Sequence, residues 1–214
     1  MSLKWDLSTV ADQLEEGIAR AEQELRLEQA VYGLDSRDEV QMHALLAEVL
    51  TEHYCVSREV HYPSTAGRRQ THRQRCDLVL SPAGRPLKRD TQLPTLFDAA
   101  ELCPPEEALW LEVKVAYQFR EGGARHGGYG AQWRQAVVAD LLKMEGEPLI
   151  REAALLLVVF NESRAVLDKD LDLFESVLAQ KEVLAGFRQV RSVPIVERIG
   201  HRVCTVALWP TIQR

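Results

Sequence analysis

The sequence predicts an α/β fold: one domain over residues 1–214, with a mixed central β-sheet flanked by helices. Three observations carry that expectation. Helical and strand-like stretches succeed one another as α, α, β, β, β, α, β, α, β, β, an order that distributes helices among strands. Ala153-Ala154-Leu155-Leu156-Leu157-Val158-Val159-Phe160 lacks polar alternation and so reads as a central strand covered on both faces. A length of 214 residues, with 46% hydrophobic and 27% charged side chains, suits one well-buried core and falls short of two.

The elements follow in order. Residues 1–34 hold an N-terminal amphipathic helix over about 7–31, because Leu7, Val10, Leu14, Ile18, Ala21 and Leu25 form an i, i+3, i+4 stripe, with Gly33 as its stop. Asp35-Ser36 offers the start of a second helix running to about His53, whose buried face is Met42, Leu45, Leu46, Val49 and Leu50. Strands are expected at about 55–62, 73–81 and 108–117, the first two joined around Pro63-Ser64-Thr65-Ala66-Gly67. The proline-bearing connection 82–107 reads as a long surface excursion. A flexible glycine-rich loop, Glu121 to Gly130, leads into a helix at about 131–145. After the apolar strand come a helix at about 166–183 and two β-rich runs, 187–197 and 201–209, that suggest a hairpin.

Charge and cysteine usage exclude several classes. A net charge of −6 weighs against coating nucleic acid by bulk electrostatics. The distribution is uneven, however: residues 1–35 carry eight acids and three bases, whereas Arg58, Arg68, Arg69, Arg73 and Arg75 oppose only Glu59 just before Asp77. A basic rim beside acidic groups suits a phosphodiester substrate, and solvated loop arginines are the plainer alternative. Cys55, Cys76, Cys103 and Cys204 have no C-x-x-C spacing, which argues for free thiols, with Cys76 and Cys204 packed in the core. No apolar run reaches the ~18 residues of a membrane span, and the N-terminus has no signal-peptide pattern, so the expected location is cytoplasmic with no membrane partner.

Two strand-like stretches contain charges where apolar residues are expected. Arg75-Cys76-Asp77-Leu78-Val79-Leu80 carries Asp77, and Leu109-Trp110-Leu111-Glu112-Val113-Lys114-Val115 carries Glu112 and Lys114. Alternation puts Glu112 and Lys114 on one face and Leu111, Val113 and Val115 on the other. Buried charge costs several kcal/mol unless compensated, so the trio implies a cross-strand salt bridge or a metal site.

The order of elements over residues 36–162, with Asp77 on the second strand and Glu112-Val113-Lys114 on the third, resembles the PD-(D/E)xK nuclease superfamily and the αβββαβ core of its restriction-endonuclease-like fold. Arg75-Cys76 stands where the motif's nominal lead-in would be. The resemblance implies a DNA-cleaving hydrolase in which Asp77, Glu112 and the Val113 carbonyl hold Mg²⁺ or Mn²⁺ and Lys114 is the catalytic lysine. Such oxygen donors suit hard divalent cations, which activate water and screen phosphate.

Many members add a helix glutamate, for which Glu39 and Glu48 compete. Projection at 100° per residue puts Glu39 near Met42 and Leu46 and takes Glu48 away from that stripe, while Ser36-Arg37-Asp38-Glu39 also reads as a capping box that would occupy Glu39. Gln132 at the start of the next helix, ahead of Asp140 and Lys143 there, and Arg73 and Arg75 on the basic segment, are candidate substrate contacts. A non-catalytic module of the same fold, binding nucleic acid or protein, is the competing class, and a homodimer or protein partner stays open. No G-x-x-x-x-G-K-[ST] loop, G-x-S-x-G elbow or zincin histidine spacing occurs.

Overall fold

The computed structural model describes residues 5–65, 74–88, 102–134 and 136–212. Five α-helices and six strands lie within them: α1 Leu7–Leu27, α2 Glu39–Thr51, β1 Tyr54–His61, β2 Arg75–Pro82, β3 Leu109–Tyr117, α3 Tyr129–Arg134, α4 Ala136–Glu145, β4 Glu152–Asn161, α5 Arg164–Gln180, β5 Gln189–Pro194 and β6 Val203–Pro210. The strands form one mixed sheet in the order β1-β2-β3-β4-β6-β5. Only β3 and β4 pair in parallel, as a connection through α3 and α4 requires; the other neighbours are antiparallel.

Two apolar layers sandwich that sheet. Val10, Leu14 and Ile18 of α1 and Met42, Leu46 and Leu50 of α2 pack on one face with Leu78, Leu111, Val113 and Leu156. Trp133, Val137, Leu141, Leu171 and Phe174 from α3, α4 and α5 pack on the other with Val79, Trp110, Leu155 and Trp209. The central position of β4 explains its apolar sequence, since both its faces are covered. Cys76 and Cys204 are buried, and the four cysteines are free.

The start of α1 is fixed by Asp6, whose carboxylate accepts the Ser8 N–H at 3.0 Å and the Thr9 hydroxyl at 2.8 Å. Its end falls at Leu27 instead of residue 31. Gln29 adopts φ 54°, and the Gln29 and Ala30 N–H groups turn back to the Arg26 and Leu25 carbonyls, a Schellman closure with glutamine in the position glycine usually takes. Gly33 precedes a short 3₁₀ turn, Leu34–Ser36, and is not the helix stop. The α1 stripe is consumed within the chain: Arg191 of β5 reaches Asp12 at 2.5 Å, and buried Glu22 accepts the Val196 N–H at 2.8 Å.

At Gly17, α1 touches α2 so closely that an added Cβ would lie 2.3 Å from both Val49 methyl carbons. Val is stiff at χ1, so the helices would have to separate. Gly17→Ala is therefore expected to lower the unfolding free energy by about 1–2 kcal/mol despite alanine's helix propensity, as read by urea denaturation.

The α2 cap also differs from the expected one. Asp38 caps the helix by accepting the Gln41 N–H at 2.7 Å, while the Gln41 side chain accepts the Asp38 N–H at 3.0 Å. Residues 34–36 are already committed to the 3₁₀ turn, so the Ser36–Glu39 box does not form. The helix expected at 131–145 comprises α3 and α4, with residue 135 outside the described set. The loop expected to be flexible over Glu121 to Gly130 is instead largely ordered: Arg120 N–H donates to the Ala124 carbonyl at 2.8 Å and His126 N–H to that of Gln118 at 2.8 Å, and α3 already begins at Tyr129.

Candidate active site in the opening between two strands

Strands β2 and β3 pair over three positions only, from Leu80 opposite Leu109 to Leu78 opposite Leu111, and then part. Two local irregularities mark the opening. Glu59 on β1 takes φ 52° and the ladder omits its pairing with Asp77, although Arg58–Leu78 and Val60–Cys76 pair on either side. Cys76 packs with the α3–α5 layer whereas Leu78 packs with the α1–α2 layer, so simple alternation fails between them. Asp77 consequently reaches across to β3. Its Oδ2 accepts the Val113 N–H at 2.7 Å, taking the part a β2 carbonyl would play in a continued ladder.

Glu112 and Lys114 emerge on the same face of β3, as the alternation predicts, and helix α4 meets them with opposite charges. Lys143 Nζ lies 2.5 Å from Glu112 Oε1 and 3.4 Å from Asp140 Oδ1; Lys114 Nζ lies 3.4 Å from Asp140 Oδ2. The sequence Glu112, Lys143, Asp140, Lys114 thus forms a chain of alternating charge between strand and helix. Tyr62, stacked on Trp110 with centroids 5.6 Å apart, donates its hydroxyl to Glu112 Oε1 at 2.5 Å. Lys143 sits 5.1 Å from the centroid of the same tyrosine ring.

The cross-strand bridge considered from the sequence is absent among the described residues: both strand charges that form ion pairs do so with the helix. Asp77 still belongs to the cluster electrostatically. Burial raises its pKa, opposed by the Val113 hydrogen bond, the Lys114 charge and a hydrogen bond with Glu112. Burial likewise raises Glu112, helped by the Asp77 charge and opposed by Lys143 and Tyr62. Burial works against the Lys114 charge, but Asp140, Asp77, Glu39 and Glu112 outweigh it and its pKa rises. Three carboxyl groups, Asp77, Glu112 and Asp140, therefore share two ammonium groups, Lys114 and Lys143.

The linkage has a definite sign. A carboxyl with a raised folded pKa binds more protons folded than unfolded, so stability falls as pH climbs from the ordinary glutamate value of 4.5 through the raised one. In metal-free protein, Glu112→Gln is expected to flatten part of that slope, measured as urea-unfolding free energy against pH. A slope unchanged by the substitution would assign the effect elsewhere.

The remaining sequence candidates are placed unevenly. Glu39 opens α2 and is exposed, not turned onto the buried face as projection suggested, because it is the first helical residue beyond the Asp38 cap. Its charge nevertheless bears on Lys114 and on His43, whose Nε2 lies 3.9 Å away. Glu48 is exposed farther along α2. Arg75 is exposed at the start of β2, Arg73 lies outside the described residues, and so does the side chain of Gln132 on α3. Val113 is buried, and because N–H and C=O of a strand residue share an edge, its carbonyl faces the opening that its N–H faces.

The sequence places Asp140 and Lys143 on the helix beside the site but favours Gln132 there, and it assigns no role to Tyr62 or His43. Asp140 and Lys143 stand three apart on α4, a spacing that signals a shared helix face but is equally common on solvated surfaces. Nothing in the sequence singles out Tyr62. His43 follows Glu39 by one helical turn, is buried, and has its pKa lowered by burial and Lys114 against the pull of Glu39.

Among the described residues no group of three or more His, Cys, Asp and Glu side chains is gathered as a metal cage. The donor chemistry still fits one hard cation. Asp77 and Glu112 both bring carboxyl groups to the strand opening, and such oxygens are the donors a hard divalent ion prefers. Compared with protein-family models, curated proteins and solved structures, the chain matches none. No helix among the described residues is long and apolar enough to cross a membrane.

Proposed function

We propose that the chain is a metal-dependent nuclease of the PD-(D/E)xK type that hydrolyses phosphodiester bonds of DNA. One observation carries the reading: Asp77 reaches across the strand opening to the Val113 N–H at 2.7 Å, between Glu112 and Lys114 on β3, where three carboxyl groups meet two ammonium groups. The order of elements around them supports it, as does the excess of arginine before Asp77.

In this reading Asp77, Glu112 and the Val113 carbonyl hold Mg²⁺ or Mn²⁺, which when bound supplies charge neutralisation for the phosphate and acidifies water. The chain's own groups do the rest. Asp77 is oriented by the Val113 N–H, and Glu112 is fixed by Tyr62 and Lys143, so the two carboxyl groups keep their positions without substrate. Lys114, held beside Asp140, presents an ammonium that stabilises negative charge developing on the phosphoryl oxygens. Asp140 keeps that ammonium charged, and Glu39 adds a further carboxylate on the α2 side.

The second reading, a module that keeps this fold and binds nucleic acid or a protein without cleaving, draws on the same cluster, since Lys143 occupies Glu112 Oε1 at 2.5 Å as a counter-ion does in a purely structural network. A cleavage assay on linear, circular and single-stranded DNA separates the two. The nuclease reading expects cleavage that requires added Mg²⁺ or Mn²⁺ and falls about 10²-fold or more in Asp77→Asn. Cleavage independent of divalent ions, or none with well-folded protein, would support the binding module.

A further inference from the structure

Two donors meet at one oxygen of Glu112. The Tyr62 hydroxyl donates to Oε1 at 2.5 Å, and Lys143 Nζ lies 2.5 Å from the same atom. They differ in how firmly they are held. Tyr62 is buried and stacked on Trp110, whereas the Lys143 side chain is partly exposed and reaches the site from α4 on a flexible stem. Lys143 also has two supports besides Glu112. Asp140 Oδ1, three residues earlier on the helix, lies 3.4 Å away, and the centroid of the Tyr62 ring lies 5.1 Å away. The ammonium can therefore leave Glu112 and stay compensated.

Charge supplies the reason to leave. A buried carboxylate without a counter-ion is costly, so the metal-free chain needs an ammonium at Glu112. A divalent ion held by Asp77 and Glu112 supplies that compensation itself, and an ammonium on the same carboxylate then repels it. With Asp77, Glu112 and Asp140 ionised, the ion and both lysines together would carry one positive charge too many, and withdrawal of one ammonium restores the balance. Of the two lysines, Lys143 is the one in contact with Glu112, since Lys114 pairs with Asp140 at 3.4 Å.

We propose that Lys143 is a place-holder for the divalent ion: it neutralises Glu112 in the metal-free chain, gives up that contact when the ion binds, and retains Asp140. Its ammonium keeps the empty site folded and weakens ion binding in the same act. Lys143 is thus a positioning residue that sets the ion affinity of the site without being a ligand. The inference rests on the reading of Asp77 and Glu112 as the residues that hold the ion.

Calorimetric titration of the full, DNA-free chain with Mn²⁺ tests this. Lys143→Gln is expected to bind Mn²⁺ about tenfold or more tightly than the unaltered chain, and Lys143→Met, as a second variant, should follow it. Lys143→Arg keeps the charge and should bind close to the unaltered chain. Lys114→Gln should tighten binding less than Lys143→Gln, because that ammonium faces Asp140. Asp77→Asn added to Lys143→Gln should abolish binding. Saturating Mn²⁺ should also raise the melting temperature of Lys143→Gln more than that of the unaltered chain. The place-holder is overturned if folded Lys143→Gln and Lys143→Met bind Mn²⁺ no more tightly than the unaltered chain, if Lys143→Arg binds as tightly as they do, if binding survives Asp77→Asn, or if no chain binds Mn²⁺. Equal Mn²⁺ affinities with Mn²⁺-dependent DNA cleavage overturn the place-holder alone. Tighter binding by the Lys143 variants with no cleavage by the unaltered chain supports the place-holder and overturns the nuclease reading alone.

Discussion

Replacing Lys143 with methionine is expected to lower the unfolding free energy by about 3 kcal/mol, because it strands the buried Glu112 carboxyl without its counter-ion. The estimate sits at the low end for broken buried pairs since the Lys143 side chain is 21% exposed. Tyr62 would continue to donate to Glu112, but one neutral hydrogen bond does not replace an ammonium. Adding Glu112→Gln to Lys143→Met should return most of the loss, since the uncompensated charge disappears with its partner. Urea denaturation of the two single variants and the double variant measures this. A Lys143→Met chain as stable as the starting one would mean that the ammonium does not compensate Glu112.

Lys114→Ala is expected to reduce divalent-ion-dependent cleavage by about 10²- to 10³-fold while costing less stability than Lys143→Met. The two effects separate because Lys114 meets Asp140 at 3.4 Å, and Asp140 retains Lys143 at the same distance when Lys114 is gone. Lys114→Arg tests whether charge alone suffices: its planar fork differs from an ammonium in geometry, so it should recover only part of the rate. Initial cleavage rates at saturating Mg²⁺, beside unfolding curves of the same preparations, give both readouts. Cleavage that survives Lys114→Ala would remove the lysine from the mechanism.

Much of the framework was legible because it follows from short-range rules. The apolar run at 153–160 could be satisfied only by cover on both faces, and β4 occupies such a position. Period-two alternation placed Glu112 and Lys114 together and Val113 behind them, and the two apolar layers divide accordingly. The helix ends were less readable, since Gln29 supplies the left-handed residue that glycine usually signals. Two capping boxes overlap by two residues at the start of α2, and only the turn at residues 34–36 decides between them. The site was half legible. Asp77 draws attention as a charge among apolar residues, but its reach to Val113 depends on where β2 and β3 part, which no local pattern encodes. Asp140 and Lys143 look like any solvated helical pair until the helix is laid across β3.

The seat of α1 has a consequence for how the chain is made. Its apolar stripe leaves the ribosome well before the residues that anchor the helix, since Arg191, which meets Asp12, and Val196, which meets Glu22, lie 179 and 174 positions later. At about 5–20 residues per second, that separation keeps the helix without its final partner for on the order of 10 s or more. Docking of α1 therefore waits on contacts that close a very long loop, and the helix reaches its final seat only after β5 has been made.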